Sequence, residues 1–144
     1  MSPVGGPVDS IGAFILTAGP GVREIAEQWK AEGAYLKSHA IQALALETAE
    51  GFAEYLHKRM RDAWGIPDRD GLSRRELFQG AYRGLRVSFG YPACPDPADH
   101  EKLFRLLSPA DLGVELPAGH LLYPEALGPA LSFPHPDMPH FAHR

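Results

Sequence analysis

Positions 86–96 of this 144-residue chain read Arg-Val-Ser-Phe-Gly-Tyr-Pro-Ala-Cys-Pro-Asp. Arg86 offers a planar fork of N–H donors that matches a carboxylate or a phosphate. Gly90 reaches backbone conformations closed to Val87 or Phe89. Pro92 and Pro95 lock φ and remove two donors, which excludes a helix interior or a central strand. The pattern describes a preset loop that holds a fixed cation beside Gly90 and Tyr91, suited to a small anionic group brought close to backbone. A plain turn on a helical protein explains any three of these residues, but not all eleven together.

Other residue sets could also carry chemistry. Glu47, Glu50 and Glu54 recur at i, i+3 and i+7, so on a helix they share roughly one face. Such a face is usually solvated, but one of the three pointing into a pocket could bind a cation or hydroxyls. His135, His140 and His143 accompany Asp137 in a Pro-rich tail, without a cysteine or an i, i+4 histidine pair on a helix, so a polar tail explains them better than zinc. Cys94 lies between Ala93 and Pro95 with no base in view, which favours an inert thiol over a nucleophile. Gly19-Pro20-Gly21 lacks the rest of a phosphate-loop pattern and reads as a strand-to-helix turn.

The elements that must position these residues follow from periodicity. Residues 1–8 form a leader of Gly, Pro and Val, and residues 10–17 read as a short buried strand. A helical period begins at Val22 and is interrupted at Gly33. A longer one runs through Leu36, Ala40, Leu44, Ala49, Phe52, Leu56 and Met60 to Ala63, about eight turns, before Gly65 and Pro67 end it. Ser73 and Glu76 have capping-box spacing, predicting a short helix through Leu77, Phe78 and Tyr82 that stops at Gly84. Asp96-Pro97 opens another helix, with Leu103, Phe104, Leu106 and Leu107 as its apolar stripe. Residues 108–111 read as a second turn-like start. Residues 114–116, 121–123 and 130–133 read as very short or edge strands, because prolines punctuate that region. The fold class is α+β: a long central helix and shorter helices on a small, mainly antiparallel sheet.

Bulk properties narrow the function. The size is that of one domain, and 44% hydrophobic with 22% charged residues supports a buried core. A net charge of −4 with scattered Lys and Arg argues against nucleic acid as a partner. No apolar run is long enough to cross a membrane, and the first residues lack the pattern of a signal peptide. A single cysteine permits no internal disulfide, which fits a reducing compartment, so a cytoplasmic location is expected.

The segment Arg86-x-x-x-Gly90-Tyr91-Pro92-Ala93-Cys94-Pro95-Asp96 resembles the signature of the C-terminal activation domain of cobalamin-dependent methionine synthases. Residues 9–14, 49–57, 82–86 and 133–137 resemble the same family and fall in its order. The resemblance implies that residues 9–144 are a partial activation-type domain, matching the C-terminal part of a domain about twice as long. It implies binding of S-adenosylmethionine, which supplies the methyl group when oxidised cobalamin is reduced and returned to its methylated form. Arg86 would grip the methionine carboxylate, backbone around Ser88 and Gly90 would meet the adenosyl part, and Tyr91 would lie near the sulfonium and the corrin face. Glu50 would stand at the site, and His140 occupies the place of the first of two tyrosines, the one that touches the ligand. The implied partners are a cobalamin-binding module and a flavodoxin-type reductant. The chain has neither the family's Asp-x-His-x-x-Gly cobalamin motif nor a cysteine cluster for zinc, so alone it is not a complete synthase. A second reading is a non-catalytic interaction subunit that docks on a corrinoid protein or completes a partner's fold.

Overall fold

The longest apolar period of the sequence folds as one helix, α2 (Tyr35–Ala63), and the rest of the molecule is arranged around it. The computed structural model describes residues 5–6, 10–117, 122–124 and 127–134. The remaining elements are β1 (Gly12–Phe14), α1 (Val22–Ala31), α3 (Arg74–Phe78), β2 (Leu85–Ser88), α4 (Asp99–Leu107), a 3-10 turn (Pro109–Leu112) and β3 (Ala130–Phe133). The three strands form one antiparallel sheet in the order β1-β3-β2, so the architecture is α+β as expected. α1 packs along α2, and α4 lies against β1. None of the described helices is long and apolar enough to cross a membrane.

Three helices stop by the same device. Gly33, Gly65 and Gly80 each take a positive φ just past the helix end. In each case the following amide bonds back five residues: Ala34 to Trp29, Ile66 to Arg61, and Ala81 to Glu76. This is the Schellman arrangement, which favours glycine because a Cβ opposes left-handed backbone. Gly33 and Gly65 act where the sequence places them. Gly80 stops α3 at Phe78, so Tyr82 is not helical and α3 does not run to Gly84. Ser73 and Glu76 do form the reciprocal capping box at its start.

The core lies between α2 and one face of the sheet. Phe14, Leu16 and Ala130 from the strand side meet Ala49 and Ala53 of α2, with Leu56 and Met60 at the margin. Burying a ring such as Phe14 contributes roughly 1.5–3 kcal/mol. The buried line of α2 is Ala45, Ala49, Ala53, His57 and Arg61, recurring every fourth residue, rather than the wider stripe of large residues. Leu36, Leu44 and Phe52 are exposed. Small residues let helix and sheet approach closely. At Gly12 an added Cβ would fall 2.0 Å from Met60 Cε and 3.0 Å from Trp64 Cη2.

Several strands differ from expectation. Only Gly12–Phe14 of residues 10–17 enters the ladder, and Thr17 makes an isolated bridge to Leu127. Among the described residues, the expected strands at 114–116 and 121–123 are represented by a single isolated bridge between Glu115 and Tyr123. Ala130–Phe133 is the central strand, not an edge. Its prolines, Pro129 and Pro134, lie just outside, so the four residues between them can bond to both neighbours. α4 begins at Asp99, two residues after Pro97, while Asp96 Oδ1 caps the preceding turn through the Ala98 amide at 2.9 Å.

Candidate functional site

Arg86 sits on β2, an edge strand, and not on the Pro-rich loop. The prolines begin only at Pro92, after the strand has ended, so they leave Arg86 free to pair. Strand alternation places Arg86 and Ser88, opposite Ser132 and Ala130, on the face that meets α2, while Val87 points the other way. Phe89 donates to Pro129 O at 3.3 Å, so odd-numbered residues bond to β3 and the backbone groups of Arg86 and Ser88 face the open edge. The loop that follows is closed by Gly90 N to Cys94 O (3.0 Å) and Cys94 N to Tyr91 O (2.8 Å), with Gly90 at φ 84°.

These elements enclose a cleft of about 1050 Å³ between α2, α3, β2 and the loop. Glu47, Glu50 and Glu54 line it from α2, Leu77 and Phe78 from α3, and Arg86, Ser88, Tyr91 and Pro92 from β2 and the loop. Four expected residues, Arg86, Ser88, Tyr91 and Glu50, therefore meet in one place. Gly90 shapes the turn without lining the cleft. His140 lies outside the described residues, as do His135, Asp137 and His143.

The Arg86 side chain is only 8% exposed. Its Nη2 donates to Glu50 Oε1 and to Glu54 Oε1, the latter at 2.7 Å, and Nη1 reaches Ser88 Oγ at 3.4 Å. Its Nε is buried and, among the described residues, has no acceptor. Burial opposes the charge of this guanidinium, but its hydrogen bond to Glu50 and the charges of Glu54 and Glu50 outweigh it and raise its pKa further. One arginine faces two carboxylates here, while the cleft lining as a whole is balanced, with Glu47, Glu50, Glu54 and Asp68 against Lys58, Arg61, Arg74 and Arg86.

Behind this pair stands a second polar group. The Tyr82 hydroxyl donates to Glu54 Oε2 at 3.1 Å. Burial, then the charge of Glu54, pushes the Tyr82 hydroxyl well above its ordinary pKa. The Tyr82 ring lies 3.9 Å from the guanidinium carbon of Arg61 and meets His57 edge-on. Arg61 in turn grips Asp68 with Nε and Nη2, at 2.9–3.2 Å. Tyr82, Arg61 and His57 escape a reading of the sequence. The only signal is that Arg61 and His57 continue the every-fourth-residue line of α2, which hydrophobicity does not mark. Glu54 was visible only as one of three equivalent acids.

The lesser candidates resolve simply. Gly19 and Gly21 both have positive φ and form the turn into α1, with Gly19 N bonded to Thr17 Oγ1 at 2.9 Å. The Cys94 thiol is partly buried; burial, then Asp99 and Asp96, raise its pKa, which disfavours the nucleophilic thiolate. Among the described residues no group of three His, Cys, Asp or Glu could hold a metal ion.

The cleft suits a zwitterionic or cationic amino-acid derivative. A carboxylate finds the Arg86 guanidinium, a cation finds the exposed carboxylate of Glu50, and an apolar ring system finds Leu77, Phe78 and Tyr91. Comparison with known proteins gives one family and three similar proteins. The family described as vitamin B12 dependent methionine synthase, activation domain, matches residues 2–143. Methionine synthase of Mycobacterium tuberculosis (strain ATCC 25618 / H37Rv) is 31% identical over 142 residues, 94% of this chain. That of Mycobacterium leprae (strain TN) is 28% identical over 140 residues, 93% of this chain. The chain spans 12% of the length of each of these two proteins. A crystal structure of the MetH reactivation domain bound to AdoHcy superposes with a TM-score of 0.83 at 35% identity, covering 92% of this chain and 41% of the other.

Proposed function

This chain belongs to the family of vitamin B12-dependent methionine synthase activation domains, and from that premise we propose that it binds S-adenosylmethionine in the cleft beside Arg86. It presents the ligand to a cobalamin-binding module, for reductive methylation of the corrinoid. The observation that carries this reading is a nearly buried guanidinium, on the wall of a cleft, with one donor unfilled and two acids beside it. The solved relative described above, bound to AdoHcy, supports the same ligand class.

When bound, S-adenosylmethionine supplies a methyl group to the cobalt of the corrinoid. The residues of this chain bind and orient. Arg86 takes the amino-acid carboxylate through charge-assisted hydrogen bonds. The exposed carboxylate of Glu50 faces the cationic centres. The open edge at Ser88 and the turn at Gly90 offer backbone groups to the adenosyl part, and the exposed ring of Tyr91 tolerates the sulfonium through a cation–π contact. On the family resemblance alone, His140 is proposed as a further ligand contact. Positioning of this kind is most of what such a module must supply, since the reactivity belongs to the two cofactors. A flavodoxin-type protein is the proposed electron donor, and the cytoplasm the proposed compartment.

Isothermal titration with S-adenosylmethionine and with AdoHcy tests the reading. Saturable binding of both is expected. Background heat alone, even with the cobalamin-binding module present, overturns it.

A second reading, an interaction subunit that docks on or completes another polypeptide, draws on a different observation. Leu36, Leu44, Phe52 and Tyr55 are large apolar residues exposed along α2, each at least 49% accessible. Native mass spectrometry that captures a stable heteromer without bound S-adenosylmethionine would favour it over the first.

A further inference from the structure

The two carboxylates that converge on Arg86 are not equivalent. Glu54 is held at both oxygens: Oε1 accepts from Arg86 Nη2 at 2.7 Å and Oε2 accepts from the Tyr82 hydroxyl at 3.1 Å. Tyr82 is itself anchored, with its ring buried against Arg61 and His57. Glu50 reaches the same Arg86 nitrogen with one oxygen, its side chain is 60% exposed, and among the described residues it bonds to nothing else. Arg86 thus has one fixed acid, one loose acid and one buried donor, Nε, that neither acid fills.

Resting on the reading of this cleft as an S-adenosylmethionine site, we propose that Glu54 is a positioning residue that aims Arg86, and that Glu50 is an exchangeable stand-in for a ligand carboxylate. An incoming carboxylate takes over the Arg86 donors and Glu50 turns away. Leaving Glu54 in place costs nothing, because Tyr82 and Arg86 keep both of its oxygens bonded. Displacing Glu50 has a consequence for selectivity. Its charge loses the guanidinium and gains a new anion as a neighbour, a like-charge contact that a cation on the ligand relieves. The exchange therefore selects a carboxylate that arrives with an ammonium or sulfonium beside it, and discriminates against a bare carboxylic acid. Glu50 is then a specificity residue as well as a contact.

Three probes separate these roles in the full chain: AdoHcy, its deaminated analogue that keeps only the carboxylate, and 5′-methylthioadenosine, which lacks the amino-acid end. Wild type is expected to bind AdoHcy well and the deaminated analogue poorly. Glu50→Gln should narrow or invert that order, binding the deaminated analogue roughly tenfold more tightly than wild type does, because the competing anion is gone. Glu54→Gln and Tyr82→Phe should weaken AdoHcy by about tenfold or more, the effect of misdirecting a hydrogen bond to a charged group. Neither should alter 5′-methylthioadenosine, which also reports that the variants are folded. If Glu50→Gln weakens AdoHcy and its deaminated analogue alike, Glu50 is an ordinary contact and the exchange is wrong. If Glu54→Gln weakens 5′-methylthioadenosine as much as AdoHcy, Glu54 only supports the fold. Failure of wild type to bind AdoHcy would instead overturn the reading beneath the proposal, and the proposal with it.

Discussion

Arg61 and Arg86 are joined through one tyrosine, yet they have opposite characters. Arg61 is 1% exposed, and each of its nitrogens has an acceptor. Asp68, itself only 10% exposed, takes Nε and Nη2 side by side. His57 Nδ1 takes Nη1 at 2.9 Å, which requires a neutral ring with its proton on Nε2. Tyr82 covers the face. Arg86 is almost as enclosed at 8%, but its acids are 36% and 60% exposed and its Nε has no acceptor among the described residues. Burial alone does not distinguish a prop from a receptor. The difference lies in whether the donors are saturated and whether the acceptors can leave.

The comparison can be broken most forcefully at Arg61. Arg61→Ala should destabilise the fold by about 3–5 kcal/mol, because it strands a nearly buried Asp68. Urea denaturation measures this, and a loss under roughly 1 kcal/mol, the scale of an exposed pair, would remove the distinction drawn above. Arg86→Ala should do the reverse. Its stability should change little, since Glu50 and Glu54 can hydrate, while affinity for S-adenosylmethionine should fall by about 1.5–3 kcal/mol. Wild-type affinity in that variant would place the ligand elsewhere.

Gly84→Ala sharpens the picture at the crossing between the two arginines. Gly84 has φ 89°, and an added Cβ would lie 3.2 Å from Phe133 O and 3.3 Å from Arg61 Cδ. Backbone strain and crowding should cost about 1–3 kcal/mol, read as a lower urea midpoint. The smallest effect concerns Tyr82. Burial and Glu54 raise its pKa in the folded state, so its contribution is complete below the ordinary tyrosine value near 10 and declines as pH rises above it. Tyr82→Phe should remove about 1 kcal/mol at neutral pH and flatten the alkaline loss. An unchanged slope between pH 9 and 11 would show that this hydroxyl is not what links the two arginines.

The sequence made some of this legible. Residues 86–96 revealed the cation and its turn, because proline and glycine restrict backbone choice locally. The long helix was legible nearly to the residue, since α2 begins one position before the apolar period does and ends at Ala63. What stayed hidden depends on distant partners. Arg86 was placed on the loop because the prolines that follow dominate that stretch, although they act only after the strand is finished. Tyr82 was placed in a helix because its spacing from Phe78 is helical, and only the left-handed Gly80 releases it into the core. Glu54 and Glu50 are equal as residues on a helix face. Tyr82, delivered by that early stop, is what makes one fixed and the other loose.

Ala49 and Ala53 touch the sheet one helical turn apart, and Glu50 and Glu54 are their immediate neighbours on the same rod. The reach of both acids is therefore calibrated by two methyl groups. Any substitution that shims this rod away from its floor, even by one carbon, also backs the acids off the guanidinium, so looseness of the seam and weakened grip should arrive together. Conversely, a molecule clasped between strand and rod acts as a rivet across that seam, and the melting temperature of the chain should climb as the cleft fills.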